Sequence, residues 1–118
     1  MKTIKVKIWL EVPKDFTGIA EYPNGDKFWY KKGKFGREDG PAIELFNGCK
    51  QWWIDDKFYS LTQLESLIET SIYLGKKENG NYNLEWLLFL TDQGIKEFPI
   101  IPGMIETELL KEYLDAVQ

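Results

Sequence analysis

A chain of 118 residues is long enough for one hydrophobic core and is expected to form a single domain. It has no histidine and one cysteine, Cys49, which removes the commonest general base and excludes both an internal disulfide and a Cys-based zinc site. The net charge of −4 is divided unevenly, with +2 over residues 1–60 and −6 over residues 61–118, and neither half has the basic stripe typical of a nucleic-acid binder.

The first stretch, "TIKVKIWLEV", alternates Ile4, Val6 and Ile8 with Lys5, Lys7 and Trp9, which predicts a half-buried strand ended by Pro13. Its interspersed lysines are unlike the continuous apolar segment of a signal peptide. The chain has no apolar run of 18 residues, so no membrane partner is expected, and a lone thiol fits a reducing, cytoplasmic setting.

An internal repeat follows. Residues 21–37 laid over residues 44–60 give seven identities in 17 positions at a constant offset of 23: Glu21/Glu44, Asn24/Asn47, Gly25/Gly48, Lys27/Lys50, Trp29/Trp52, Lys34/Lys57 and Phe35/Phe58. Each Asn-Gly tolerates positive φ at two successive positions, which predicts a type I′ hairpin turn with a strand on either side. "KKGK" and "IDDK" supply a second turn in each copy, and "GREDGPA" joins the copies. Trp29 and Trp52 share a phase, so both are expected on one face of the sheet.

Beyond the repeat, "SLTQLESLIETSIYLG" predicts a helix over 60–75. Ser60 is its N-cap, Gln63 completes the capping box, Leu61, Leu64, Leu67, Ile68 and Ile72 form the apolar stripe, and Gly75 ends it. "KKENGN" reads as a loop. The apolar run Leu84–Leu90 is readable as a short helix or as the first strand of a hairpin; a hairpin over residues 84–101 is preferred because Asp92-Gln93-Gly94 suits a three-residue loop, with Pro99 placing the return strand at an edge. "IETELLKEYLDAVQ" predicts a C-terminal amphipathic helix. Two hairpin repeats are too few to bury a continuous core, so the sheet is expected to find cover from the helices. The expected fold is α+β: an antiparallel β-meander of short repeat hairpins (1–60) packed with two or three helices.

The stretch from Asn24 to Ser60, with "REDGPAIE" at Arg37–Glu44 as its most specific part, resembles the short β-hairpin repeats of phage, large-virus and bacterial proteins, which are loosely MORN-like. The match covers about residues 21–60. It departs at Gly36, where histidine is frequent, and at Asp55-Asp56, where Asn-Gly is usual. The resemblance implies a small scaffold of viral or mobile-element origin in a bacterial host cell, and brings no catalytic residues with it.

Candidate chemistry is sparse. Glu38-Asp39 and Asp55-Asp56 have the oxygen ligands for a divalent cation but fall in turns, where aspartate caps backbone N–H groups. Cys49 has no histidine to activate it. "KKGKFG" lacks phosphate-loop spacing. No metal and no cofactor are expected. The residues left as binding candidates are Trp29, Tyr30, Arg37, Trp52 and Trp53, because aromatics and arginine are enriched where proteins bind one another.

The leading expectation is a non-enzymatic protein-binding module. Given the resemblance, its partner is a host protein, as for a phage inhibitor of a host defence factor of the anti-CRISPR type, or a second copy of the chain as a homodimer. Single-stranded nucleic-acid binding on an aromatic sheet face ranks below it, and a carboxylate-dependent enzyme below that.

Overall fold

The structure, a computed structural model, describes residues 1–79 and 82–104 together with Glu112 and Asp115. Two compact units divide the chain, Met1–Phe58 and Tyr59–Gln118.

The first unit carries the repeat. Its strands are β1 (Thr3–Lys5), β2 (Gly18–Glu21), β3 (Lys27–Lys31), β4 (Lys34–Phe35), β5 (Ile43–Glu44), β6 (Lys50–Ile54) and β7 (Lys57–Tyr59). They lie in the order β1-β2-β3-β5-β6-β7, with β4 also paired to β3. The β2–β3, β3–β4, β3–β5 and β5–β6 pairs are antiparallel, whereas β1 joins β2 in parallel. The offset of 23 reappears as structure: β3 and β6 are matching five-residue strands, and β4 and β7 begin at equivalent positions. The first strand is shorter than its alternation predicts. After Lys5 the chain leaves the sheet and forms a 3-10 turn at Trp9–Glu11, because the Glu11 carboxylate accepts the backbone N–H groups of Lys7 and Ile8 at 2.9 and 3.2 Å.

The turn chemistry is the reverse of the sequence expectation. At Asn24-Gly25 and Asn47-Gly48 only the glycines have positive φ, +99° and +90°. The Gly25 and Gly48 N–H groups donate to Tyr22 O and Leu45 O, three residues back. Each asparagine side chain instead accepts the backbone N–H two residues on, from Asp26 and Cys49, both at 3.0 Å. This is a type I turn followed by a left-handed glycine, and Pro23 is pre-set for its second position. The two successive positive φ values fall at Lys32-Gly33 and Asp55-Asp56, so the hairpins that turn tightest are those of "KKGK" and "IDDK".

Two aspartates tie the copies together. Asp26 Oδ1 accepts the Phe46 N–H at 2.7 Å, across to the turn of the second copy. Asp56 Oδ1 accepts the Phe35 N–H at 2.7 Å, back to the first copy, while the Asp56 N–H donates to Phe35 O at 2.9 Å. Each satisfies a backbone donor that the short strands leave without a ladder partner.

The second unit holds α1 (Leu61–Thr70) and a three-stranded antiparallel sheet of order β10-β9-β8, formed by β8 (Ile72–Asn79), β9 (Leu84–Thr91) and β10 (Gly94–Pro99). The expected hairpin is present, and Pro99 lies on an edge strand. Ser60 caps α1 by accepting the Gln63 N–H. Leu64, Leu87, Phe89, Phe98 and Ile101 are at most 1% exposed and form a dry core, against which the Tyr59 ring stands edge-on to Trp86 and Phe98.

The fold class needs correcting. The described residues hold one α-helix and two sheets, a β-rich fold, where α+β packing with two or three helices is the sequence expectation. The helix stops at Thr70, whose hydroxyl donates to Ser66 O at 2.7 Å while the Ser71 N–H closes on Leu67 O at 3.0 Å. The expected helix end and the "KKEN" loop are instead one eight-residue strand, β8. A register shift between Tyr73 and Gly75 breaks the alternation that would have revealed it, and Gly75 takes φ +124° there. The helix predicted over 105–118 falls, but for Glu112 and Asp115, outside the described residues.

Candidate binding face

Cross-strand register separates the side chains of the repeat sheet into two faces. Phe28 stands opposite both Ala20 and Ile43, Tyr30 opposite Gly18 and Phe35, and Ile43 opposite Gln51, so these share one face with Trp53. Trp29, opposite Ile19, belongs to the other face, as does Trp52. The expectation that Trp29 and Trp52 share a face agrees with this register.

The first face carries an unbroken ladder of rings. Centroid separations run Tyr22–Phe28 5.2 Å, Phe28–Phe35 5.9 Å, Phe35–Trp53 5.6 Å and Trp53–Phe58 5.5 Å. Tyr30 joins from the side, 5.0 Å from Phe35 and 6.1 Å from the buried Phe16. Every spacing lies in the range where tilted or edge-to-face pairs attract. The sheet dictates the arrangement. Residues two apart in a strand share a face, and Phe35 of β4 stands between Tyr30 of β3 and Trp53 of β6, which occupy equivalent positions of the two copies. Ala20 and Ile43, the cross-strand partners of Phe28, are 0% and 6% exposed. The rings of Tyr22, Phe28, Tyr30, Phe35 and Trp53 are half-buried, and Phe58 is exposed.

The indole N–H of the ladder has a partner. Trp53 Nε1 donates to Gln51 Oε1 at 3.0 Å on the same face. Burial pushes the Tyr30 hydroxyl above its ordinary value, helped by Tyr22 and Asp56, and burial followed by the charges of Asp26 and Glu11 does the same for Tyr22. Both remain neutral donors at physiological pH.

The opposite face is closed by the "REDGPA" connector. Arg37 Cζ sits 4.1 Å from the centre of the Trp29 ring, and Trp29 is 7% exposed. The guanidinium donates through Nε to Asp39 at 2.7 Å and through Nη1 to Pro41 O at 3.2 Å, with Glu44 Oε1 at 3.7 Å. Gly40 leaves room for the guanidinium, because a Cβ there would lie 2.9 Å from Arg37 Cζ and would make that group shift. Arg37 therefore acts as a latch on its own loop.

The five sequence candidates are thus divided. Tyr30 and Trp53 come together in the ladder. Trp29 and Arg37 stack on each other on the far face, and Trp52 is half-buried there. Tyr22, Phe28, Phe35 and Phe58 belong to the ladder and are not among those candidates. Phe35 and Phe58 could have been found, since they are an identical pair at the offset of 23. The acidic pairs have turn roles: Asp39 holds Arg37, and Asp56 joins the copies. Among the described residues no group of three His, Cys, Asp or Glu side chains is arranged to hold a metal ion, and Cys49 is exposed. Compared with known proteins, the chain matches no family model, no curated protein and no solved structure.

Proposed function

We propose that the chain is a non-enzymatic protein-binding module and that the ring ladder of the first unit is its recognition face. The observation that carries this reading is the run of half-buried rings Tyr22, Phe28, Phe35 and Trp53, ending at the exposed Phe58 and flanked by Tyr30, held at fixed spacing by the sheet. Aromatic side chains offer large contact area with few rotatable bonds, so little conformational entropy is lost when a partner covers them. Tyrosine and tryptophan supply a hydroxyl or indole N–H at the edge of that apolar area, which suits a protein surface of mixed polarity. The REDGPAIE-type resemblance points the partner toward a host protein, as for a phage or mobile-element inhibitor of a defence factor. Immobilised chain is expected to retain one stoichiometric protein from a bacterial host extract at physiological salt, and failure to retain any contradicts the reading.

A second reading has one specific observation behind it. The Lys14 backbone lies so close to the β3–β4 turn that a Cβ on Gly33 would be 2.0 Å from Lys14 O, which brings Lys14 to the turn that carries Lys32 and Lys34, next to Tyr30. Rings beside lysines can stack bases and neutralise phosphates of a single strand. This reading predicts tryptophan quenching by a single-stranded oligonucleotide that weakens steeply with salt, and a flat titration removes it.

A further inference from the structure

We propose that the turn Ile8-Trp9-Leu10 is a docking point for an anionic lipid surface, separate from the ring ladder and independent of the proposed function. Three consecutive large apolar side chains are 53%, 70% and 67% exposed there, more than isolated surface residues call for. The turn is not slack chain. The Glu11 carboxylate fixes its start through the Lys7 and Ile8 N–H groups, and its backbone closes with the Glu11 N–H on Ile8 O and the Val12 N–H on Trp9 O, both at 3.1 Å. A rigid turn that presents tryptophan between two aliphatic residues combines an inserting apolar tip with the side chain that favours the headgroup level.

Charge complementarity selects the lipid surface over a neutral one. Lys2, Lys5, Lys7 and Lys14 flank the turn in sequence, all exposed, against the two carboxylates of Glu11 and Asp15 over residues 1–15. Lys5 and Lys7 also stand together in space with the turn: they line, with Glu11, Glu21 and Tyr22, an open cleft of about 350 Å³ beside it. Lysines next to an anionic leaflet each add roughly a fivefold gain in affinity, while the apolar tip adds insertion. No spanning segment is required; among the described residues no helix is long and apolar enough to cross a membrane.

The test is co-sedimentation of the full chain with phosphatidylcholine vesicles, with and without phosphatidylglycerol, at low and at high salt. The chain is expected to pellet with the phosphatidylglycerol vesicles at low salt, and its tryptophan emission to be quenched by brominated acyl chains. Trp9→Ser with Leu10→Ser should abolish both signals. Lys5→Glu with Lys7→Glu should weaken pelleting by tenfold or more. All four positions are exposed, and an unchanged circular dichroism melt confirms folding of each variant. Absence of pelleting by the wild-type chain overturns the proposal, as does pelleting that survives Trp9→Ser with Leu10→Ser. Loss of protein-partner capture in that variant without any vesicle binding also overturns it, and makes the turn part of a protein interface.

Discussion

The two units use aromatic residues in opposite ways. In the second, Phe89 and Phe98 are at most 1% exposed and a three-stranded sheet closes over them. In the first, most of the rings lie along the outside of the sheet, and only Trp29 and Phe16 are buried among them. One unit stabilises itself with a dry core. The other buries mostly smaller side chains, Val6, Ala20, Ala42, Ile43 and Ile54 beside Phe16 and Trp29, and adds ring-on-ring contacts, one arginine latch and two aspartate bridges. The lesson is that similar apolar content can serve as core or as surface.

Substitutions in each unit can break that contrast. Phe89→Ala should cost the most, about 3–5 kcal/mol in urea unfolding, because a fully buried ring leaves a cavity. Phe35→Ala in the ladder should cost clearly less, about 1–2 kcal/mol, since its ring is half in water already. Equal costs would mean that the ladder is core. Arg37→Ala should cost about 1–3 kcal/mol by removing the stack on Trp29 and the bonds to Asp39 and Pro41. Arg37→Lys should recover only part of that, because an ammonium cannot reproduce the planar fork.

The aspartate bridge gives a smaller and more diagnostic effect. Asp56 has φ +64°, so Asp56→Gly relieves a left-handed strain of about 1 kcal/mol while losing a hydrogen bond to Phe35 of similar worth. The net change in melting should be slight, whereas Asp56→Ala loses the bond, keeps the strain and should melt measurably lower.

Alkaline titration should give the smallest signal. The folded chain raises the Tyr22 and Tyr30 values above 10.0, so the unfolded chain loses those protons first. Their contribution is fully present below pH 10 and is lost as pH rises from there through the folded values. Tyr22→Phe with Tyr30→Phe should flatten that part of the stability curve.

Much of this architecture was legible in the sequence, and the misses have physical causes. The offset of 23 located β3 with β6 and β4 with β7 because identical Lys, Trp and Phe positions demand identical strand phase. The turn type was missed because Asn-Gly suits two geometries, and Pro23 together with the asparagine side-chain bonds selects the other. Strand β8 was hidden by its bulge, which lets Ser71–Gly75 read as the end of a helix. Tyr30 and Trp53 are both candidates from the sequence, but the ladder that unites them depends on which strands become neighbours, and periodicity along one strand carries no such information. Trp29 stands out in the sequence by its repeat partner Trp52 and Arg37 by having none at the offset of 23, but neither signal shows that the connector folds them onto each other.

The central claim is that the ring ladder recognises a partner and does not merely hold the sheet together. The most direct measurement is quantitative capture of a host protein at physiological salt by the wild-type chain and by Trp53→Ser with Phe58→Ser, each shown to be folded by circular dichroism. The predicted result is stoichiometric retention by the wild type and loss by the folded variant. Equal retention by both would contradict the claim and return the ladder to a purely structural role.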